Sequence, residues 1–128
     1  MTSFNSSHIH ALLFGLSEDL AGELTAPLAK FCGKIQSVDG SSSHDNLFAA
    51  GPSARIIFCG AETAVVTKLR AANPHAPIVV VSRLPEVSVW LDSIEAGATD
   101  YCASPFETSQ VQWIVETSMR ASRSIAAA

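Results

Sequence analysis

Three cysteines, four histidines and a serine set directly before a proline are the residues in this chain that could carry chemistry. Cys59 closes one apolar run, Cys102 lies within another, and Ser104 precedes Pro105 shortly after it. An odd number of cysteines at irregular spacing argues for reduced thiols and against a disulfide framework. His8 and His10 alternate along a short run and would share one face of a strand, where they could seat a metal. No third ligand stands at suitable spacing, and neither His44 nor His75 is placed by the sequence, so a partly exposed strand start is the better reading. Ser17 and Ser82 have no nucleophile frame, because there is no G-x-S-x-G and no histidine positioned as a base. Neither G-x-G-x-x-G nor a P-loop is present, so nucleotide binding has no support.

The elements that must position these residues alternate between strand and helix signals. HIHALLF (8–14) is short and apolar and is broken by Gly15. Ser17 is the N-cap expected from the sequence, with Glu18 and Asp19 where a helix dipole favours acids. Leu20, Leu24, Leu28 and Phe31 recur at helical spacing up to Gly33, and KIQSV (34–38) reads as a weaker strand. After the turn residues 39–46, a short helix is expected over 45–50. ARIIFC (54–59) is a strand covered on both faces, and Ala64, Val65, Leu69 and Ala72 give the next helical stripe. APIVVVS (76–82) is the strongest strand. Pro85 and Glu86 open a helix expected to carry Val87, Trp90, Leu91 and Ile94 inward as far as Gly97. TDYCA (99–103) is the fifth strand. A last helix is expected from about Glu107 to Arg120 with Val111, Ile114, Val115 and Met119 buried, followed by a fraying SIAAA.

Five β/α units imply a parallel sheet with helices on both faces and right-handed crossovers. In such sheets the working crevice lies at the carboxyl ends of the strands. Those ends are Phe14-Gly15-Leu16, Cys59-Gly60, Ser82-Arg83 and Cys102-Ala103-Ser104. The chain is one domain, 1–128, with an ordered core of about 8–122. Its 48% apolar and 16% charged composition sets it apart from disordered chains. A net charge of −4 and scattered basic residues give no footprint for nucleic acid. No apolar run reaches membrane-spanning length, MTSFNSSHIH lacks the pattern of a secretory signal, and the cytoplasm is the expected compartment.

PIVVVSR, a helix, and then EAGATDYCASPFE with an amphipathic last helix resemble the second half of a response-regulator receiver (CheY-like) domain. The family pattern there is a strand ending in Thr or Ser, then E-A-G-A-x-D-Y, then Lys-Pro-Phe. Ser82 falls on the family hydroxyl, Tyr101 on its switch aromatic, and Ser104-Pro105-Phe106 on Lys-Pro-Phe, in matching register. The first half matches only in its order of strands and helices. The resemblance implies a flavodoxin-like (βα)5 fold with strand order 2-1-3-4-5 and a cis Ser104-Pro105 peptide.

Receivers accept a phosphoryl group on an Asp ending the third strand, with Mg²⁺ held there by oxygen ligands and by an acidic pair ending the first. By the resemblance, the acidic pair falls on Gly15 and Leu16, the phosphoacceptor on Cys59 and the phosphate-pairing lysine on Ser104. Leu16 cannot bind a hard metal, and a cysteine in a site without positive charge has nothing to lower its pKa. Glu18 and Asp19 read as dipole-favourable acids, Glu62 is a single carboxylate, and Asp100 belongs to its strand and not to the strand's end. In the family strand order Cys59 and Cys102 are two strand spacings apart, roughly 9–10 Å. That exceeds the about 7 Å Cα limit of a disulfide. Both, with Cys32, read as small buried hydrophobes.

The expectation is a degenerate pseudo-receiver of two-component signalling, not an enzyme, binding no Mg²⁺ and acting by protein–protein contact. Its partners, a second copy included, are expected on the face formed by the fourth and fifth helices and the fifth strand. Trp90 and Trp113 are the candidate anchors there, Trp113 the more exposed by helical phase. Its effect is delivered by docking or through a longer polypeptide of which it is a piece. Two alternatives stand beside this reading: a phosphorelay receiver using non-standard residues, and a thiol or small-ligand sensor centred on Cys59.

Overall fold

Runs too short and too evenly apolar to make one face of a helix become the central strands. The computed structural model describes residues 9–38, 55–72, 76–83 and 86–127. In chain order the elements are β1 (His10–Phe14), α1 (Glu18–Leu28), β2 (Lys34–Val38), β3 (Arg55–Cys59), α2 (Thr63–Ala72), β4 (Ile78–Ser82), α3 (Val87–Ala96), β5 (Asp100–Ala103) and α4 (Thr108–Ala127). The strands form one parallel sheet in the order β2-β1-β3-β4-β5, as the resemblance implies. The short helix expected over 45–50 and His8, His44, His75 and Pro85 lie outside the described residues.

Alternation along the strands divides the interior into two cores, because successive side chains leave opposite faces of the sheet. Leu13, Phe58, Val79, Val81 and Cys102 pack beneath α1 and α4, meeting Leu24, Leu28, Val111, Ile114 and Val115. Phe14, Ile57, Cys59, Ile78 and Val80 face the other way, toward Val66 and Leu69 of α2. In α2 the buried positions are therefore Val66 and Leu69, whereas Ala64 and Ala72, expected in the stripe, are exposed. The last helix continues to Ala127, past the end expected at Arg120.

The largest departure from expectation is α3. Its stripe of Val87, Trp90, Leu91 and Ile94 faces outward, and Ser93 alone in the helix is fully buried. Val89, Ser93, Ala96 and Gly97 line its inner side, all half-buried or buried. The physical reason lies at its C-terminal end. Gly97 has φ 121°, and a Cβ there would stand 3.0 Å from Arg70 Cγ. Arg70 of α2 donates from Nε to Gly97 O (3.0 Å), from Nη1 to Ala76 O (2.7 Å) and from Nη2 to Thr99 Oγ1 (3.2 Å). Thr99 Oγ1 also accepts from the Ile78 N–H at 3.0 Å. This brace joins α2, the start of β4 and the start of β5, and draws the small-residue side of α3 inward.

Candidate functional site

At the carboxyl ends of the strands the chain leaves β1 through Gly15, whose φ of 68° suits a residue without a Cβ. Ser17 then caps α1 as expected, its Oγ accepting from the Leu20 N–H at 3.3 Å. Glu18 and Asp19 occupy the first turn. Asp19 and Glu23, four residues apart, lie on one side of α1. Arg83, the first residue after β4, reaches both, with Nη1 3.2 Å from Glu23 Oε2 and Nη2 3.7 Å from Asp19 Oδ2. Ser104, the first after β5, donates its hydroxyl to Glu23 Oε1 at 2.9 Å, and its backbone N–H donates to Ser82 O at 2.8 Å. The two oxygens of Glu23 thus tie the ends of β4 and β5 to α1. The Ser104–Pro105 peptide is cis, as expected from sequence.

The Ser104 hydrogen bond, then the Arg83 contact, hold the Glu23 carboxyl below its ordinary value of 4.5. That direction decides what the contact can do. A serine on a carboxylate resembles a nucleophile with its base, but a general base works best with a pKa near the operating pH. Glu23 is moved away from that range, and its second oxygen is engaged by a guanidinium. The arrangement is a polar latch between helix and strand ends.

The position matched to the phosphoacceptor, Cys59, is completely buried in the core under α2, in register with Phe14 and Val80. Burial pushes its thiol up to about 12. Cys32 is pushed up to about 11 by burial, and Cys102 to about 11 by burial and then by Asp100. All three are free. Cys59 ends β3 and Cys102 lies within β5, with β4 between the two strands, and they pack into opposite cores, so the sheet itself stands between them.

Of the positions matched to the acidic pair, Gly15 is exposed and Leu16 is half-buried against the core under α1 and α4. The carboxylates that do gather at the strand ends, Asp19 and Glu23, close on Arg83. An Arg side chain among them puts a fixed positive charge where a hard cation would need oxygen ligands. The residues present do not fit Mg²⁺. Among the described residues there is no group of three or more His, Cys, Asp or Glu placed to hold a metal ion. His10 is half-buried at the start of β1.

Ser82 is half-buried, and Tyr101 is half-buried against the α2-side core. Both stand on the sheet face that carries Cys59 and Val80, since Val80 pairs with Cys59 on one side and Tyr101 on the other. Asp100 opens β5 and accepts from the Tyr101 N–H at 2.7 Å. Glu62 is exposed and uses its backbone carbonyl to accept from Val65 and Val66 at the start of α2. Trp90 and Trp113 are both exposed, Trp113 the more so at 65%. Glu23 was not anticipated from sequence. Its signal was the four-residue spacing from Asp19 together with a lone Arg83 just past a strand end.

No family model matches this sequence, and no curated protein matches it. Solved structures do match in fold. NtrX from Brucella abortus superposes with a TM-score of 0.73 at 14% identity, over 90% of this chain and 27% of that one. The chain therefore spans about a quarter of NtrX. The isolated receiver domain of NtrX gives a TM-score of 0.72 at 16% identity, covering 87% of this chain and 98% of that domain. A CheY-like protein, TadZ, from Pseudomonas aeruginosa PAO1 gives 0.69 at 19% identity, over 84% and 97% of the two chains. The beryllofluoride-activated NtrC4 receiver domain, solved as a dimer, gives 0.67 at 13% identity, over 90% and 98%. The fold is that of a response-regulator receiver domain.

Proposed function

We propose that this receiver-fold domain is a signalling module that works by docking other proteins and does not accept a phosphoryl group. The observation that carries the proposal is Cys59. At the end of β3, where the resemblance implies an aspartate, there is a completely buried thiol. A phosphoacceptor must meet a phosphodonor with a metal in place to neutralise the charge on the transferring group. Here the neighbouring carboxylates are spent on Arg83, and Ser104 has no charge to pair with phosphate. The latch through Glu23 links the ends of β4 and β5 to α1 without a phosphoryl group. This supports a domain held in one conformation, or shifted by a partner and not by phosphorylation. Neither an enzymatic activity nor a bound Mg²⁺ is part of this reading.

The test is incubation of the domain with acetyl phosphate, and separately with beryllofluoride, each with Mg²⁺. Intact mass and amide chemical shifts are the readouts. The expected result is an unchanged mass and no shifts at Cys59, Ser82 or Ser104. A stable phosphorylated species, or shifts centred on Cys59 and Ser82, would replace the proposal with a phosphorelay receiver using non-standard residues.

A further inference from the structure

Lysines and arginines that are scattered along the sequence gather at the amino end of the sheet, opposite the latch. All five strands are parallel and start at that end. Lys34, His10 and Arg55 are the first residues of β2, β1 and β3, with their Cα atoms in register. At about 4.8 Å between strands, they form one row about 10 Å long across the amino edge. Lys30 comes 12 positions after Glu18, the first residue of α1, and Arg120 comes 12 positions after Thr108, the first of α4. The two helices leave the carboxyl end and pack beside each other. A rise of 1.5 Å per residue brings both cations about 18 Å down, to one level near that row. The link from Lys30 to Lys34 is held to the start of β1, where the Gly33 N–H donates to Ile9 O at 2.9 Å. Lys30, Lys34 and Arg120 are exposed, and both ion pairs among the described residues belong to Arg83 at the other end.

The acids lie elsewhere. Glu18, Asp19, Glu62, Glu86 and Glu107 stand at helix starts, on the carboxyl end, and all are exposed. Glu116, one turn above Arg120, accepts from Gln112 Nε2 at 3.0 Å. Among the described residues, the acids of the amino end are Glu95, near the end of α3, and Asp100, which opens β5. Both belong to the β4–β5 side, across the sheet from β2, where Arg70 is bound to Gly97 and Thr99. A helix dipole favours Lys30 just past the end of α1, and a lysine on an edge strand such as β2 guards it against pairing. Neither reason covers Arg55, which opens a central strand, or Arg120 inside α4.

We propose that the amino end of β2, β1 and β3, flanked by Lys30 and Arg120, binds an acidic segment of a partner protein. The inference rests on the reading of the domain as a docking module and names a surface and the chemistry of its partner. Carboxylates of the segment meet Lys30, Lys34 and Arg120, and charge sets the choice of partner. The row is short and the chain carries a net charge of −4, which suits a short acidic segment. A nucleic-acid duplex or an anionic membrane would extend past the row onto Glu95 and Asp100 and be repelled there.

The test uses the whole chain at low ionic strength and two synthetic peptides. One alternates Asp or Glu with Ser, and the other has every acid replaced by its amide. The acidic peptide should move amide resonances within 28–36 and 118–121 and leave those of 15–19 and 104–107 in place. It should bind at least about tenfold more tightly than the amide peptide, and weaken as salt is raised. Lys30→Gln, Lys34→Gln and Arg120→Gln should each weaken binding by about twofold to fivefold, and together by about tenfold or more. All three positions are exposed, and an unchanged amide spectrum elsewhere verifies the fold. Equal binding of the two peptides, shifts centred away from the amino end, or a triple variant that binds like the native chain would overturn the proposal. So would an oligonucleotide or phosphatidylserine vesicles binding more tightly than the peptide. Self-association in sedimentation that the triple variant dissolves would also overturn it, since the occupant would then be the acidic end of a second copy. Failure of the acidic peptide with acetyl phosphate still inert removes the acidic partner and leaves the docking module. Phosphorylation by acetyl phosphate removes the non-phosphorylated reading whatever the peptide does.

Discussion

Alkylation of the native protein at neutral pH should leave Cys59 almost untouched. The thiolate is the species that reacts. Burial raises the Cys59 thiol from 9.0 to about 12, so the thiolate fraction at neutral pH falls by about three powers of ten, roughly 1,000-fold. The corresponding rise to about 11 for Cys32 and Cys102 predicts a fall of about 100-fold for each. Full burial of Cys59 adds a second barrier, because the reagent must wait for local opening of a central strand. The assay is a time course with N-ethylmaleimide, quenched, digested and read peptide by peptide. A parallel sample in denaturant should show all three cysteines reacting at similar rates. The native order should place Cys59 slowest. Labelling of Cys59 at its denatured rate would refute the reasoning. It would show that the end of β3 opens readily and would favour the thiol or small-ligand sensor.

The latch can be read by titration: carbon-detected NMR should place the Glu23 carboxyl below 4.5, and Ser104→Ala should raise it, because the lost hydrogen bond is the first contributor to the depression. An unmoved value in that variant would remove Ser104 from the latch. Gly97→Ala should destabilise the fold by about 2 kcal/mol, combining a positive φ with a Cβ 3.0 Å from Arg70 Cγ, and lower Tm by roughly 6–10 °C. Thermal unfolding by circular dichroism checks it, and an unchanged Tm would contradict the described turn. The raised Cys59 pKa also sets a pH dependence. Its folded value lies above its unfolded one, so its contribution is intact below 9.0 and is lost as pH rises toward about 12. Three units correspond to about 4 kcal/mol, so denaturant unfolding above pH 9.0 should show a shallower alkaline decline in Cys59→Ala than in the native protein.

Much of the molecule was legible before its structure. The strands announced themselves as short apolar runs, and Ser17 and Gly15 marked the start of α1. The sequence carried the receiver-like order of the second half, from Ser82 through Tyr101 to Ser104 and Pro105. These signals are local. Backbone preference, capping and alternation act over a few residues, and the chain states them directly.

What the sequence determined by itself was the alternation of elements, the parallel sheet and the residues standing at its carboxyl end. Tertiary structure alone decided three matters. It set Cys59 and Cys102 in separate cores, because the phase of each strand is fixed only once neighbours pair in register. It brought Glu23 to Arg83 and Ser104, residues 60 and 81 positions apart, through polar contacts that leave no periodic trace. It also turned α3 inside out. Periodicity in Val87, Trp90, Leu91 and Ile94 fixes which residues share a face, but not where that face points. The rotation of the helix came from Arg70 and Gly97, a cation and a residue without a side chain, neither of which contributes to a hydrophobic pattern.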